Sequence, residues 1–456
     1  MLNWIWLGLV VLAVLLGAVS GQLAEVTTAA FEACKTAVMT LALPLAGIMA
    51  LWLGMMRLAE KSGLVGLLAG ALRPIMRWLF PDVPAAHPAM GSMVMNMAAN
   101  MLGLANAATP LGLRAMQDLE KLNPRPGVAT NAMCTFLAIN TSSIQLIPAT
   151  TVGILSAAGA ANPTSIIGTA FIATVCSTIA GIVAVKSLER LPWFTLPSVE
   201  TTPKEAAISN TSSPDEDRAP RIRVIWKSLL LITLGFFASL FVTMAFFPAA
   251  FETVANSARS FLSVSSPFAF PPEWVGRHWL ARSVESISLL AIPFILTMFP
   301  LYAAARQVPV YEEFVEGAKE GFQVAIRIIP FLVAILVAIG MFRAAGGIDL
   351  LARVLSPIFQ PLRFPTELLP LVLMRPLSGS GSNGIFAELV NAHGPDSLIA
   401  KMGATVMGST ETTFYVIAVY FGSVAVRRTR HAVAAGLIAD LTGVIASVLI
   451  CNLVFG

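Results

Sequence analysis

A lone carboxylate inside a long apolar run restricts this chain more than any other feature. Residues 402–426 contain one acid, Glu411, within Gly408-Ser409-Thr410-Glu411-Thr412-Thr413. Other apolar runs, at 39–58, 166–185, 224–247 and 286–304, approach or reach the ~20 residues that cross a bilayer. Only 12% of residues are charged, against roughly 25% in a soluble domain. The chain is therefore predicted to be an all-α, polytopic membrane protein. A carboxylate at membrane depth costs at least ~2.5 kcal/mol on insertion scales, so Glu411 should face protein or a water-filled cavity. Gly408 and its small neighbours let the helix break there, which is tolerated only where the backbone is buried or lines a cavity.

Read in order, residues 1–23 form a retained membrane helix rather than a signal peptide, because the first basic residue is Lys35. An amphipathic connector at 25–35 leads to the span at 39–58, which contains Pro44. Residues 64–80, with Arg73 and Arg77, read as an interfacial or re-entrant helix. Asn96, Asn100, Asn106 and Thr109 interrupt the next apolar stretch. Asn96 and Asn100 share a face, either as glue between helices or as a polar stripe on a cavity. Residues 106–110 read as a helix end and 117–127 as a loop. The run 131–156 is broken by Asn140-Thr141-Ser142-Ser143-Ile144-Gln145, in the manner of the discontinuous helices that form transporter sites.

A polar linker at 187–223 separates two predicted units, 1–186 and 224–456. Arg221, Arg223 and Lys227 place its end on the cytoplasmic side. In the second unit, Trp274 and Trp279 suit a membrane interface, and the acids of 311–320 suggest a solvated surface helix. Arg57 and Arg343 stand at helix ends, where snorkelling explains them. The run Ser378 to Gly384 has no Walker lysine. It reads as a tight turn whose N–H groups suit an anion beside Arg375. Scattered Cys and His residues give no disulfide framework or metal spacing, and the net charge of +4 gives no sign of a nucleic-acid partner.

The two units carry a weak repeat. Pro44, Gly54, Met55 and Arg57 correspond, 286 positions on, to Pro330, Gly340, Met341 and Arg343. Phe80-Pro81 is similar to Phe364-Pro365, and Arg73-Pro74-Ile75 to Ser356-Pro357-Ile358. The order of features also repeats, and internal symmetry of this kind marks many secondary transporters. The basic run 427–431 and its uncharged counterpart 157–163 favour opposite orientations, although the span count leaves the parity open.

The stretches Asn131-Ala132-Met133-Cys134-Thr135-Phe136 and Asn100-Met101-Leu102-Gly103-Leu104-Ala105-Asn106 resemble the spore maturation protein A family. Arg375-Pro376-Leu377-Ser378-Gly379-Ser380-Gly381, residues 408–415 and Thr429-Arg430-His431 resemble the spore maturation protein B family. The chain looks like a fusion of the two. The resemblance implies gate, or nucleoside-recognition, bundles of the kind also found in concentrative nucleoside transporters and the ferrous-iron permease. It further implies a link to spore maturation. The run Gly408-Ser409-Thr410-Glu411 is similar to the Gly-Gln-Thr-Glu of the nucleoside transporters' re-entrant hairpin, with Ser409 in place of Gln. By that likeness Thr410 and Glu411 would contact the solute.

The expected function is secondary transport of a small polar or anionic solute across the plasma (inner) membrane, with no enzymatic chemistry and no cofactor. Candidate solute-binding residues are Ser409, Thr410, Glu411, Thr412, Arg375, Ser380 and Asn383 from the second unit, and Asn100, Asn106, Asn140 and Ser142 from the first. Glu411 and Asp440 are the ion-coupling candidates, because transport would run on a cation gradient. Lipid and a small solute are the expected partners, with homo-oligomerisation left open. The alternative is a non-transporting membrane factor that supports envelope or spore maturation through protein partners.

Overall fold

The computed structural model describes residues 2–103, 105–142, 145–194, 224–262, 276, 278–347, 350 and 364–456. Among these the chain is helical, and the single β-type pairing is an isolated bridge between Val128 and Arg428. Helices Leu2–Ser20 (α1), Leu23–Lys61 (α2), Leu64–Leu79 (α3), Pro88–Met101 (α4), Ala105–Lys121 (α5), Asn131–Ser142 (α6), Ala149–Ala157 (α7) and Ile166–Leu188 (α8) build the first half. Val224–Phe246 (α9), Pro248–Leu262 (α10) and Trp279–Ala305 (α11) follow the linker. Val310–Ala344 (α12), Leu369–Met374 (α13), Gly379–His393 (α14), Leu398–Ser409 (α15), Thr413–Gly422 (α16) and Ala432–Phe455 (α17) complete the chain. Five of these, α2, α8, α9, α11 and α17, are long and apolar enough to cross a membrane, and the protein is a multi-pass membrane protein.

The two halves interlock as an inverted pair. Gly54 of α2 backs onto Phe314 and Gly317 of α12, while Gly321 lies against Met49 and Ala50. Gly340 lies against Ala29 and Ala33. Rising numbers on one helix meet falling numbers on the other, so α2 and α12 are antiparallel. Gly54 and Gly340 are repeat equivalents, and each meets the opposite end of the other copy's helix. The last helices behave likewise. Ser177 of α8 packs beside Gly443 of α17, and Gly181 beside Ala439. Small residues permit such close approach, which takes the place of a hydrophobic driving force in lipid.

A Cβ on Gly321 would sit 2.4 Å from the Met49 carbonyl oxygen and 2.7 Å from the Ala50 Cα. Neither backbone atom can turn aside, so Gly321→Ala must separate α2 from α12. Overpacking of this kind costs about 1–3 kcal/mol, and thermal unfolding in detergent should show Gly321→Ala melting below the wild type. Residues 311–320 keep the expected solvated face, with Tyr311, Glu312, Glu316 and Lys319 exposed, while Gly317 packs against α2. They open α12, with Gly317 and Gly321 on its buried face and Glu313 and Glu320 beside it.

Three expectations change. The connector and the span at 39–58 form one helix, α2, with a π segment at Thr36–Ala42 that precedes Pro44. Widened turns accommodate a residue that cannot donate a backbone hydrogen bond. Residues 106–110 are not a helix end. The turn lies earlier, at Gly103 with φ +74°, and α5 runs from Ala105 through Pro110 to Lys121, which shortens the expected loop. Arg57 and Arg343 do not snorkel. Arg57 Nε lies 2.7 Å from Glu313 Oε2 and its Nη1 2.8 Å from Glu320 Oε1, while Arg343 Nη1 lies 2.8 Å from Glu388 Oε1. Arg57 finds its acids across the repeat boundary, and Arg343 finds its own within the second half.

The Glu388 side chain is 9% exposed and the Arg343 side chain 39%. Removing Arg343 strands a buried carboxylate. A fully buried pair would lose ~3–5 kcal/mol, and partial exposure of the arginine reduces this to about 1–3 kcal/mol. Arg343→Ala should therefore destabilise more than Arg343→Ala combined with Glu388→Gln, a difference that a double-mutant cycle of unfolding measures.

The expected linker at 187–223 begins inside the end of α8. Its residues 195–223 lie outside the described set, as do Ser356-Pro357-Ile358 and Trp274. Trp279 is half exposed and stacks on Phe246 with ring centroids 6.2 Å apart. One end of the bundle ties the halves together through backbone. The Arg427 and Arg428 amides donate to the Gly127 carbonyl, and Arg430 Nη1 donates to Asn131 Oδ1 at 2.8 Å. That end also holds Arg125, Lys186 and Arg190. At the opposite end the Ala161 amide meets the Asp396 carboxylate at 3.0 Å.

Candidate functional site

Eight helix ends meet inside the bundle because the chain reverses or breaks there four times. The hairpin α4–α5 enters from the basic end and turns at Leu102-Gly103. Its counterpart α13–α14 enters from the other end and turns at residues 375–378. Between α6 and α7, and between α15 and α16, the chain leaves the helix altogether. Helices α6 and α15, each 12 residues long, both lead into such a break. Unpaired backbone groups at these ends need partners, and side chains with cavity water can supply them.

Two cavities lie against the breaks, about 240 Å³ and 440 Å³ in volume. They share Gly103, Gln145, Gly379, Glu411 and Thr412 as a common wall. The first extends along α2 from Met49 to Glu60 and includes Trp52, Arg375 and Asn383. The second is lined by Asn100, Asn140, Ser380, Tyr415 and Tyr420.

Glu411 stands between them. Gln145 Nε2, from the other repeat's break, donates to Glu411 Oε1 at 3.3 Å. The Thr412 amide donates to Oε2 at 3.3 Å, and Arg375 Nη2 lies 3.8 Å from the same oxygen. The carboxylate also sits just ahead of the first turn of α16, where the helix dipole favours negative charge. Arg375 is anchored from behind. Its Nε donates to Thr410 Oγ1 at 3.2 Å and its Nη2 to the Met407 carbonyl at 3.0 Å and the Thr410 carbonyl.

An amide cluster forms one side of the second cavity. Asn100 Nδ2 donates to Asn140 Oδ1 at 2.8 Å, and Asn140 Nδ2 returns to the Phe136 carbonyl. Tyr420 Oη is 3.4 Å from both Asn140 Oδ1 and Asn96 Nδ2. Asn96 is fully buried and donates to the Ala108 carbonyl at 2.7 Å, so it joins α4 to α5. The Asn96–Asn100 face thus divides between helix glue and cavity wall.

Glu411, Thr412, Arg375, Asn383, Ser380, Asn100 and Asn140 are therefore brought together around the cavities. Ser409, Thr410, Ser142 and Asp440 are buried behind them and line neither. Ser409 Oγ pairs with Ser447 Oγ at 2.9 Å, and Ser142 Oγ bonds back to the Ile139 carbonyl at 3.0 Å. Asp440 Oδ2 accepts from Thr413 Oγ1 at 2.5 Å. The Asn106 side chain lies outside the described residues. The run Ser378 to Gly384 is a helix start rather than an unwound turn, with Ser378 capping α14 by accepting from the Gly381 amide at 3.0 Å.

Sequence reasoning missed Gln145, Trp52, Tyr415 and Tyr420 as site residues. Gln145 belonged to a recognised break. The chain has four tyrosines, and two lie within six residues on α16, which was a usable signal. Nothing marks Trp52 in its apolar run. Its indole N–H is buried without a hydrogen-bond partner among the described residues and borders the first cavity.

The family model described as Gate, nucleoside recognition, matches residues 42–186 and 325–427. Spore maturation protein B of Bacillus subtilis (strain 168) is 45% identical over 173 residues, which covers 38% of this chain and 97% of that protein. Spore maturation protein A of the same organism is 42% identical over 183 residues, covering 40% of this chain and 93% of that protein. Among solved structures, the Alcanivorax borkumensis YdaH transporter, described as having an unusual topology, is 17% identical with a TM-score of 0.40, over 99% of this chain and 96% of that one.

Proposed function

This chain belongs to the nucleoside-recognition Gate family, as a fusion of two types of spore maturation protein, and from that premise we propose that it is a secondary permease for a small polar solute bearing an anionic group. The observation that carries the proposal is Glu411. It faces two cavities inside the bundle, held by Gln145 of one repeat and beside Arg375 of the other, where both repeats break. Arg375, the Trp52 indole, Gln145 and the N-terminal amides of α7 and α14 all border the first cavity, and helix N-termini bind anions readily. The wall of the first cavity also carries Arg57, Glu60 and Glu320, with Glu320 paired to Arg57. The protein acts as a carrier rather than an enzyme, and its basic end faces the cytoplasm of a plasma membrane.

Buried polar residues that only bridge helices, such as Asn96 and Ser409, suit the alternative of a non-transporting membrane factor. Transport is preferred because Asn100, Asn140, Asn383 and Glu411 border open volume instead. Proteoliposomes offered a panel of nucleosides, amino acids and small carboxylates test the proposal. Saturable, protein-dependent uptake of at least one is expected, and no flux for any of them overturns it.

A further inference from the structure

Asp440, an ion-coupling candidate by sequence, is the one carboxyl of α17 and lines neither cavity. It is 5% exposed, and its Oδ1 has no hydrogen-bond partner among the described residues. It makes no ion pair within 4.0 Å among the described residues. Thr413, the first residue of α16, donates to Oδ2 at 2.5 Å. An ionised carboxylate so enclosed bears a desolvation penalty that the Thr413 hydroxyl and the nearby Glu411 backbone amide do not offset. Close neighbours leave little room for a metal ion. A Cβ at Gly436 would meet Thr413 Cγ2 at 2.9 Å and Thr141 Oγ1 at 3.2 Å, and one at Gly443 would meet Thr410 Cγ2 at 2.9 Å. A cation needs several converging oxygens, whereas a proton needs one.

We propose that Asp440 holds a proton on its unpartnered oxygen, and that this site, relayed through Thr413, couples proton movement to the solute site at Glu411. The inference rests on the carrier reading for its purpose, and its test does not depend on any solute. The relay is short. Thr413 follows Thr412, whose amide meets Glu411 Oε2. The charged groups acting on Asp440 are Arg375, from the tip of α13–α14, and Glu411, from the break after α15. Helices α6, α8 and α16 present Thr141, Ser177 and Thr413 toward this part of α17 and add no charge. With the proton bound, Glu411 alone balances Arg375. When the proton leaves, two carboxylates share that guanidinium, and the break between α15 and α16 is pressed to rearrange.

Infrared difference spectra of the detergent-purified full chain, titrated in pH, test this directly. The wild type is expected to show the carbonyl stretch of a protonated buried carboxyl at pH 7, lost as pH rises, and Asp440→Asn to lack it. Thr413→Val removes the donor to the charged form, so the band should persist to a pH higher by about one unit. This second variant also serves if Asp440→Asn does not fold. Absence of the band from the wild type overturns the proposal, as does its persistence in Asp440→Asn or its loss in Glu388→Gln. Displacement of the band by sodium, with choline as control, overturns the proton assignment in favour of a metal cation. If uptake fails for every solute while the band behaves as expected, the carrier reading falls and the proton site stands.

Discussion

Glu411→Gln should reduce the initial rate of solute uptake by about 10- to 150-fold, the equivalent of one charge-assisted hydrogen bond worth ~1.5–3 kcal/mol. The substitution keeps the shape of the side chain and its hydrogen bond from Gln145, because the new carboxamide oxygen can accept. It removes the negative charge that faces Arg375 and both cavities. Folding should survive, since the carboxylate is partly exposed at 27% and the contact from Gln145 is retained. The decisive comparison is uptake by wild type and variant at equal reconstituted protein, with melting temperature measured in parallel. Unaltered uptake in a folded Glu411→Gln protein would show that the solute does not engage this group. Equal losses of uptake and stability would make Glu411 a structural residue instead.

Arg375→Ala should do the opposite and act mainly on the fold. The guanidinium is nearly buried and holds the open C-terminal turn of α15 through the Met407 and Thr410 carbonyls and the Thr410 hydroxyl. Those groups have no helical partners of their own, and a cation at a helix C-terminus is favoured there. Truncation leaves them unsatisfied and removes the positive charge beside Glu411. A buried charge whose partner is deleted typically costs ~3–5 kcal/mol. Denaturation in detergent should place Arg375→Ala at the low end of any variant series. Arg375→Lys should recover little, because a single ammonium cannot span carbonyl and hydroxyl as the planar fork does. Recovery of full stability by lysine would mean that charge alone suffices and that the fork geometry is incidental.

Glu411 was legible before any coordinates because membrane depth is a one-dimensional property. Hydropathy along the chain shows where a segment lies across the bilayer, and an acid in such a segment stands out by its solvation cost alone. The breaks at 140–145 and 408–413 were visible for the same reason, through small and hydroxyl-bearing residues where spans should continue. The repeat of Pro44 to Arg57 at Pro330 to Arg343 was readable as a pattern of letters, and so was the all-helical class.

Rotation about the helix axis and pairing between distant helices were not legible. Apolar surroundings look alike on every side of a membrane helix, so hydropathy cannot say which face meets a partner. Tertiary packing alone decided that Asn100 borders a cavity while Asn96, one turn away, bridges two helices. It turned Gly317 and Gly321 toward α2, which drew Glu313 and Glu320 to Arg57 while the opposite face of the same segment stays exposed. It set α2 against α12 and α8 against α17 in opposite directions, bringing Gln145 to Glu411 across 266 positions of chain. Local chemistry thus determined what each segment can tolerate at its depth, and the close approach of small residues between the repeats determined which polar groups look into the same space.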